Sequence, residues 1–306
     1  MKSIRHTGVS FLNGQIQIAE IEHGKKPTLT GVAERPASID FAGTNGLLSA
    51  THADLPALAK ELAAALKEAR SESDILSVAL PTDHVFVNII TLDSSLQGTE
   101  LAAHLQWEFE QFHPDLSAKE MIIGTESLPG GSQEASQAFL VSVRRGTVAF
   151  FRKVSQEVKR QLRFVDIDHF STEKALRLNF PEFTKAYVLL LGLRPGLLDA
   201  SLMIDGKMCD YRTYAATAPQ EVTRAAATYL DTVKTQNGIE NLTHLLVHGV
   251  DATYGILSMI QEVTGLHTQA LDATRNLAVG KKVNEDLTSE SSRFAAAIGL
   301  ALRSPA

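Results

Sequence analysis

The 306-residue sequence predicts an α/β protein made of two β-β-β-α-β units, with an α+β subdomain inserted in the first. Three observations predict it. Strand-like runs are joined by Asn13-Gly14 and by Asp205-Gly206, dipeptides that accept the left-handed backbone a two-residue hairpin turn requires. Each hairpin lies in a strand, strand, strand, helix, strand order, and that order occurs twice, although no residue-level repeat is visible. Between the two occurrences, Thr82 to Arg163 has strands and helices of its own, about 80 residues and long enough for a subdomain.

In the first unit, Ser3 to Glu34 reads as three strands with turns at Asn13-Gly14 and His23-Gly24. Asp54-Leu55-Pro56 resembles an N-cap followed by proline in the first helical turn. Leu55, Leu58, Leu62, Leu66 and Ala69 then make one apolar stripe at helical spacing. Ile75 to Leu80 is a short buried-type strand closed by Pro81. The insert reads as a strand (His84 to Leu92) and a helix (Thr99 to Phe112, stripe Leu101, Leu105, Phe109 and Phe112). A strand (Lys119 to Leu128), a Pro-Gly-Gly-Ser loop, a strand (Ala138 to Val143) and a helix (Thr147 to Leu162) follow. The chain re-enters the first unit through Phe164 to Ile167 and a helix at Ser171 to Leu178.

The second unit has strands at 187–191, 198–204 and 207–213, a helix from about Pro219 to Thr235, a strand His244 to His248 and a helix from about Asp251 to Val263. Its first turn, Gly192-Leu193-Arg194-Pro195-Gly196, is glycine-rich and follows a buried strand, a common place for a fold to hold phosphate.

Composition narrows the function. A formal net charge of −6 and a pI near 5.9 argue against a dedicated nucleic-acid binder, which needs a basic surface. The single Cys209 excludes an intrachain disulfide framework and any multi-cysteine metal site, and its place in a strand predicts a small buried side chain. No apolar run approaches the ~18 residues of a membrane span, and the N-terminus lacks a signal-peptide core, so a cytoplasmic protein is expected.

Three segments carry a resemblance. They are VFVNIITLDSSLQGTELAAHLQWEFEQFHP (Val85 to Pro114), FLVSVRRGTVAFFRKVSQEVKRQLRFVDID (Phe139 to Asp168) and AAAIGLALR (Ala295 to Arg303). Taken in order they resemble PilM, the family of cytoplasmic type IV pilus assembly proteins, and more distantly the cell-division protein FtsA. The resemblance implies an actin-like (ribonuclease H-like) fold. Its domains would be 1–81 plus 164–180 (subdomain 1A), 82–163 (inserted subdomain 1C) and 181–306 (subdomain 2A). Subdomain 2B would be absent, because only about eight residues, Thr213 to Gln220, lie where it would sit.

Active members of that superfamily hold Mg·ATP between two turns, using a carboxylate to orient metal, glycine to admit phosphate, and hydroxyls to donate. Here the first turn has Ser10 at the carboxylate position, Leu12 at the glycine position and Gln17 at the lysine position. At the second turn Leu190 takes the carboxylate position, Gly192 is kept, and Gly196 takes the hydroxyl position. Pro195 removes a backbone donor. The adenosine-side Gly-Gly turn retains only Gly249. No catalytic residue, metal or nucleotide cofactor is therefore expected. The resemblance implies instead a non-catalytic adaptor, peripheral to the inner membrane, that binds the cytoplasmic tail of a PilN-like membrane protein. The groove would lie between the first unit and the insert, lined by Val85, Val87, Ile89, Leu101, Leu105 and Phe109. The alternatives are an ATPase or sugar-kinase-like enzyme with divergent loops and an FtsA-like filament protein. The latter needs a C-terminal amphipathic helix after Arg303.

Other constellations read as ordinary. Asp166, Asp168 and His169 are expected to end a strand and cap the next helix through Ser171. His104 and Glu108, four apart, read as a solvated helical pair. Arg194 reads as a surface arginine on a tight turn. Lys153, Lys159, Arg160 and Arg163 make one insert helix basic, and Glu100, Glu108, Glu110 and Asp115 make the other acidic.

Overall fold

The computed structural model describes residues 4–39, 41, 47–131, 135–237, 239, 241–250 and 252–303. The chain opens with an antiparallel meander, β1 (Ile4–Leu12), β2 (Gln15–His23) and β3 (Thr28–Pro36). Its first turn has Asn13 and Gly14 at φ 51° and 66°, the left-handed conformation that the Asn-Gly signal predicts. Helix α1 (Leu55–Glu68) crosses to β4 (Ile75–Leu80), which pairs parallel with β1. Pro56 sits in the first turn of α1 as expected, and Asp54 occupies the N-cap position without a side-chain capping bond.

The insert follows as β5 (Val85–Asp93), α2 (Gly98–Phe112), β6 (Met121–Gly131) and β7 (Ala135–Arg144), with sheet order β5-β7-β6. Next come α3 (Arg145–Glu157), β8 (Gln161–Ile167) and α4 (Asp168–Asn179). The second unit has β9 (Tyr187–Arg194), β10 (Leu197–Ile204), β11 (Lys207–Ala215), α5 (Pro219–Asn237), β12 (His244–Gly249), α6 (Tyr254–Thr264) and β13 (His267–Ala270). Short β14 (Ala278–Val279), α7 (Glu285–Ser289) and α8 (Ala295–Ala301) end the described chain.

The duplication is a topological fact. The first sheet runs β14-β3-β2-β1-β4-β8 and the second β11-β10-β9-β12-β13. Without the β14 edge they match strand for strand, each a meander followed by two parallel strands reached through helices. Only Ala216 to Ala218 join β11 to α5, so no element stands between them.

Packing moves three sequence-derived boundaries. Helix α3, read as the last element of the 82–163 insert, buries Phe150, Phe151 and Val154 among Leu58, Leu62 and Leu76, in the core of the first unit. The insert's own core, with Ile90, Leu105, Phe109, Met121 and Leu140, ends with β7. Helix α3 precedes parallel β8 just as α6 precedes β13, so it belongs to the duplicated unit. That helix also stops before Leu162, which lies in β8 and pairs with Leu76 of β4; Lys159, at φ 55°, turns the chain out of the helix. Finally, the segment assigned wholly to the second unit (181–306) returns to the first. Strand β14 pairs with β3, and α8 lies against β1 and α4.

One apolar core joins the two units. It includes Ile21 and Leu29 from the first sheet, Val188, Leu190 and Leu246 from the second, Phe170 and Leu176 of α4, and Phe294, Ala297 and Ile298 around α8. The sequence Ala-Ala-Ala-Ile-Gly-Leu-Ala makes α8 thin enough to enter this space. A Cβ on Gly8 of β1 would lie 2.0 Å from the Ala297 carbonyl oxygen, and one on Gly299 would lie 2.0 Å from that of Ser171 in α4.

That geometry sets the sign of a substitution. Gly to Ala in a helix interior ordinarily gains about 1 kcal/mol. At Gly299 the overlap with backbone forces α4 and α8 apart, so Gly299→Ala is expected to lower stability by about 1–3 kcal/mol in urea unfolding. Gly255→Ala on α6, where a Cβ meets nothing within 4 Å, should be neutral or stabilising.

Candidate functional site

The two pseudo-equivalent hairpin tips, Asn13-Gly14 and Pro195-Gly196, flank the cleft between the units. Leu12, Asn13, Gly14 and Gln15 from one side and Asp83, Arg194 and Pro195 from the other line a cavity of about 160 Å³. Gly196 takes φ 76° to close its two-residue turn. The expected surface exposure of Arg194 is overturned, since its side chain is only 7% exposed.

The Arg194 guanidinium fills the space next to the second turn. Nε donates to Asp199 Oδ2 at 2.7 Å, Nη1 to Asp83 Oδ1 at 2.8 Å, and Nη2 to Thr82 Oγ1. Asp199, 1% exposed, also accepts from Tyr211 Oη at 2.7 Å, Thr82 Oγ1 at 3.1 Å and Thr213 Oγ1 at 3.3 Å. Burial works against the arginine's charge, and Asp199, Asp168 and Asp83 outweigh it, so its pKa is raised. Burial, then the Asp199 charge, raises the Tyr211 phenol. Thr82 and Asp83 come from the first unit's side and the remaining partners from the second, so the network ties the units across the cleft. Sequence reading missed Asp199, Thr82, Asp83 and Tyr211. Asp199 alone left a signal, because a carboxylate inside the buried run Leu198 to Ile204 needs a cation.

The first turn is satisfied differently. Ser10 Oγ donates to Gln17 Oε1 at 3.1 Å, Gln17 Nε2 to Glu34 Oε1 at 3.0 Å, and Arg293 Nη2 to both Glu34 oxygens at 2.8 and 2.7 Å. The two residues at the carboxylate and lysine positions are thus each other's partners. Leu12 lines the cleft, and Leu190 is fully buried in the shared core.

Gly192 serves a histidine pair. His169 Nδ1 and His248 Nε2 are 2.9 Å apart, and His169 Nε2 lies 2.9 Å from Ser201 Oγ. A Cβ on Gly192 would come within 2.8 Å of both rings. Burial lowers His169 to about 3 and His248 well below the usual imidazole value. Gly249 is held at φ 107°, where a Cβ would lie 2.1 Å from the Leu193 carbonyl oxygen. Ser10, Gln17, Asp168, Arg194, His248 and Arg293 surround a space of about 10 Å³, room for one water at most. Burial raises the Asp168 carboxyl. Beyond Gly196, a wider apolar hollow of about 460 Å³ opens between the starts of α5 and α6.

Asp166 does meet Ser171, whose Oγ donates to it at 3.1 Å, and also pairs with Arg303. His104 lies 3.4 Å from Glu108 along α2. Among the described residues, no three His, Cys, Asp or Glu side chains could share a metal ion. Cys209 is half-buried, and burial pushes its thiol up to about 11.

The expected partner groove is brought together only in part. Leu105 and Phe109 are buried in the insert's own core, so they are corrected from groove to core. Leu101 packs at the rim of that core, and Val85 and Val87 are half-buried against the joint between the units. Ile89, 36% exposed, stands on β5, an edge strand whose only partner among the described residues is β7.

A duplicated, helix-joined pair of five-strand motifs around a cleft defines an actin-like α/β protein. The family model described as "Type IV pilus assembly protein PilM" matches residues 211–305. The structure is similar to that of a chain in a PilM-PilN type IV pilus biogenesis complex, with TM-score 0.80 and 19% identity over 97% of this chain and 98% of that one. It is also similar to a Bacteroides thetaiotaomicron protein with an actin-like ATPase fold and unknown function (TM-score 0.52, 9% identity, 90% and 93% covered). A third likeness is to the ethanolamine utilization protein EutJ of Carboxydothermus hydrogenoformans (TM-score 0.50, 11% identity, 99% and 91% covered). No curated protein matches the chain. Over residues 211–305 the chain is similar to the PilM family, and it has the actin-like fold that the sequence resemblance implied.

Two outcomes follow. Arg194→Met leaves Asp199 buried without its cation and is expected to cost about 3–5 kcal/mol in denaturant unfolding, most of which the double variant Arg194→Met/Asp199→Leu recovers. Acid should also weaken the fold. His6, lowered to about 4 by burial, joins His169 and His248 as imidazoles held neutral in the fold. Their stabilisation is full above about pH 6.5, the unfolded value, and is lost as pH falls toward the folded values. Burial raises Asp168 and Glu126 instead, and these two carboxyls oppose the trend set by the three imidazoles. Thermal unfolding should therefore give a lower midpoint at pH 5 than at pH 7.5, and a flat profile would contradict the assignment.

Proposed function

We propose that this chain is a non-catalytic adaptor of a type IV pilus or related type II secretion-like inner-membrane assembly. It works at the cytoplasmic face and is attached to the membrane through the cytoplasmic tail of a PilN-like protein. The likeness to a PilM chain that forms a complex with PilN supports the assembly and the partner. Among the described residues, no helix is long and apolar enough to cross a membrane.

One observation carries the non-catalytic reading. The guanidinium of Arg194, fixed by Asp199, Asp83 and Thr82, occupies the ground beside the turn where a phosphate would be held. Displacing it would strand Asp199, a cost that phosphate contacts on a turn lacking one backbone N–H do not offset. At the first turn neither Ser10 nor Gln17 is free to orient a metal ion. The apolar hollow between α5 and α6 favours the competing reading, a divergent ATPase or sugar-kinase-like enzyme. Calorimetry separates them: the adaptor shows no binding heat with Mg·ATP, and micromolar affinity rejects it.

The tail is expected to bind as an extended segment along the free edge of β5, with main-chain bonds for affinity and an apolar contact at Ile89. An immobilised peptide carrying the cytoplasmic tail of the PilN-like protein should retain the chain. Ile89→Lys should weaken retention by about tenfold. Retention unchanged in that variant would move the groove elsewhere.

A further inference from the structure

Charge is divided unevenly between neighbouring parts of the molecule. Residues 85–144 carry eight carboxylates against two cations, a net charge of −6 that equals the formal charge of the whole chain. Residues 145–163 carry six cations against one carboxylate. Part of each excess lies on an outward surface of its own.

The acidic surface is the outer side of α2. At 100° per residue, Glu100, Trp107, Glu110 and Gln111 share one stripe opposite Leu105 and Phe109, and all four are exposed. Trp107, the chain's single tryptophan, is 54% exposed and stacks on His104 at 5.9 Å. Among the described residues, Glu100, Glu110 and Asp115 pair with no cation.

The basic surface is the outer side of the α1/α3 layer. Lys60 and Lys67 lie seven apart on α1, opposite its buried leucines. Arg145 and Arg152 lie seven apart on α3, and Lys159 continues that spacing beyond it. All five are exposed, and none pairs with a carboxylate among the described residues. The carboxylates nearby are engaged: Glu68 with Arg35 at 3.0 Å, Glu157 with Lys153 at 3.3 Å, and Glu61 with the Ser38 N–H at 2.9 Å.

We propose that these surfaces meet between molecules: the acidic, tryptophan-centred face of α2 in one copy docks on the basic α1/α3 face of a second copy. Both halves of the complementarity are present in one chain and stay unpaired within it, because α2 packs on the insert's sheet and α1 and α3 on the first unit's. The contact is heterologous, so it propagates head to tail and leaves one acidic and one basic face free at the ends. Exposed ion pairs contribute little singly, so the charges set orientation and encounter rate while Trp107 supplies the anchor. This inference does not rest on the PilN-like partner or on the state of the cleft.

The test uses the purified chain alone. At low salt, sedimentation should show mass rising with concentration, and the emission of the lone Trp107 should shift to the blue as it is covered. Both effects should vanish in about 1 M salt, where the screening length is about 3 Å. Lys67→Glu/Arg152→Glu and Glu100→Lys/Glu110→Lys should each weaken association by about tenfold or more. Mixing the two variants restores it, because each then offers the face the other needs; that recovery also shows that both remain folded. A chain that stays monomeric at all concentrations, or variants that fail to complement, would overturn the proposal. So would a monomeric chain whose basic face instead binds vesicles rich in phosphatidylglycerol.

Discussion

The contact on which this structure depends is the closure of α8 on both β1 and α4. Two β-sheets joined by a single chain crossing, at α4, would ordinarily hinge. Here the last helix returns to the first unit and is packed so closely that a methyl group has no place at Gly8 or Gly299. His6 and His23 seal its end, with imidazole nitrogens 3.0 Å from the Arg303 carbonyl oxygen and 2.9 Å from that of Ala301. Residues from both sheets therefore share one core, and separating the units would expose Leu190, Leu246, Phe170 and Leu176 together. At about 1.5–3 kcal/mol for each large apolar side chain, such exposure exceeds what a small ligand returns on binding.

Tight packing at the joint gives the Arg194 network its setting. A buried ion pair is a poor source of stability, because two desolvated charges must be compensated by geometry and extra hydrogen bonds. Asp199 has that compensation from Tyr211, Thr82 and Thr213, and Arg194 from Asp83 as well. The network therefore specifies one arrangement of the units more than it strengthens the fold. Opening the cleft would break the α8 packing and strand Asp199 together.

Much of the architecture was legible because its signals are local. Asn13-Gly14 and Asp205-Gly206 need left-handed backbone and take it, and the stripe Leu55, Leu58, Leu62 and Leu66 is buried as its spacing requires. Ser10, Gln17 and Leu190 were legible as departures from the superfamily pattern, but the partners that take them up were not. What was lost depends on contacts distant in sequence. Phe150 and Phe151 look alike whether α3 packs on the insert or on the first unit. Arg194 looks like any arginine beside Pro-Gly until Asp199 and Asp83 are brought to it. Leu105 and Phe109 show an apolar face, and periodicity does not say whether a sheet or a partner covers it.

The two halves of the duplication reached the same end by different chemistry. In the first turn a relay from Ser10 through Gln17 reaches Glu34, which is paired with Arg293 beside α8. In the second a buried cation is held by carboxylates from both units. Each turn keeps its hairpin geometry, and the polar side chains beside it are bonded to one another. Arg293 and Arg194 both line the small space around Asp168 and His248, so the two solutions converge on one point of the cleft. That point is filled by the protein's own charges. Outside the cleft the molecule presents the edge of β5, unpaired among the described residues, the acidic face of α2 and the basic layer of α1 and α3.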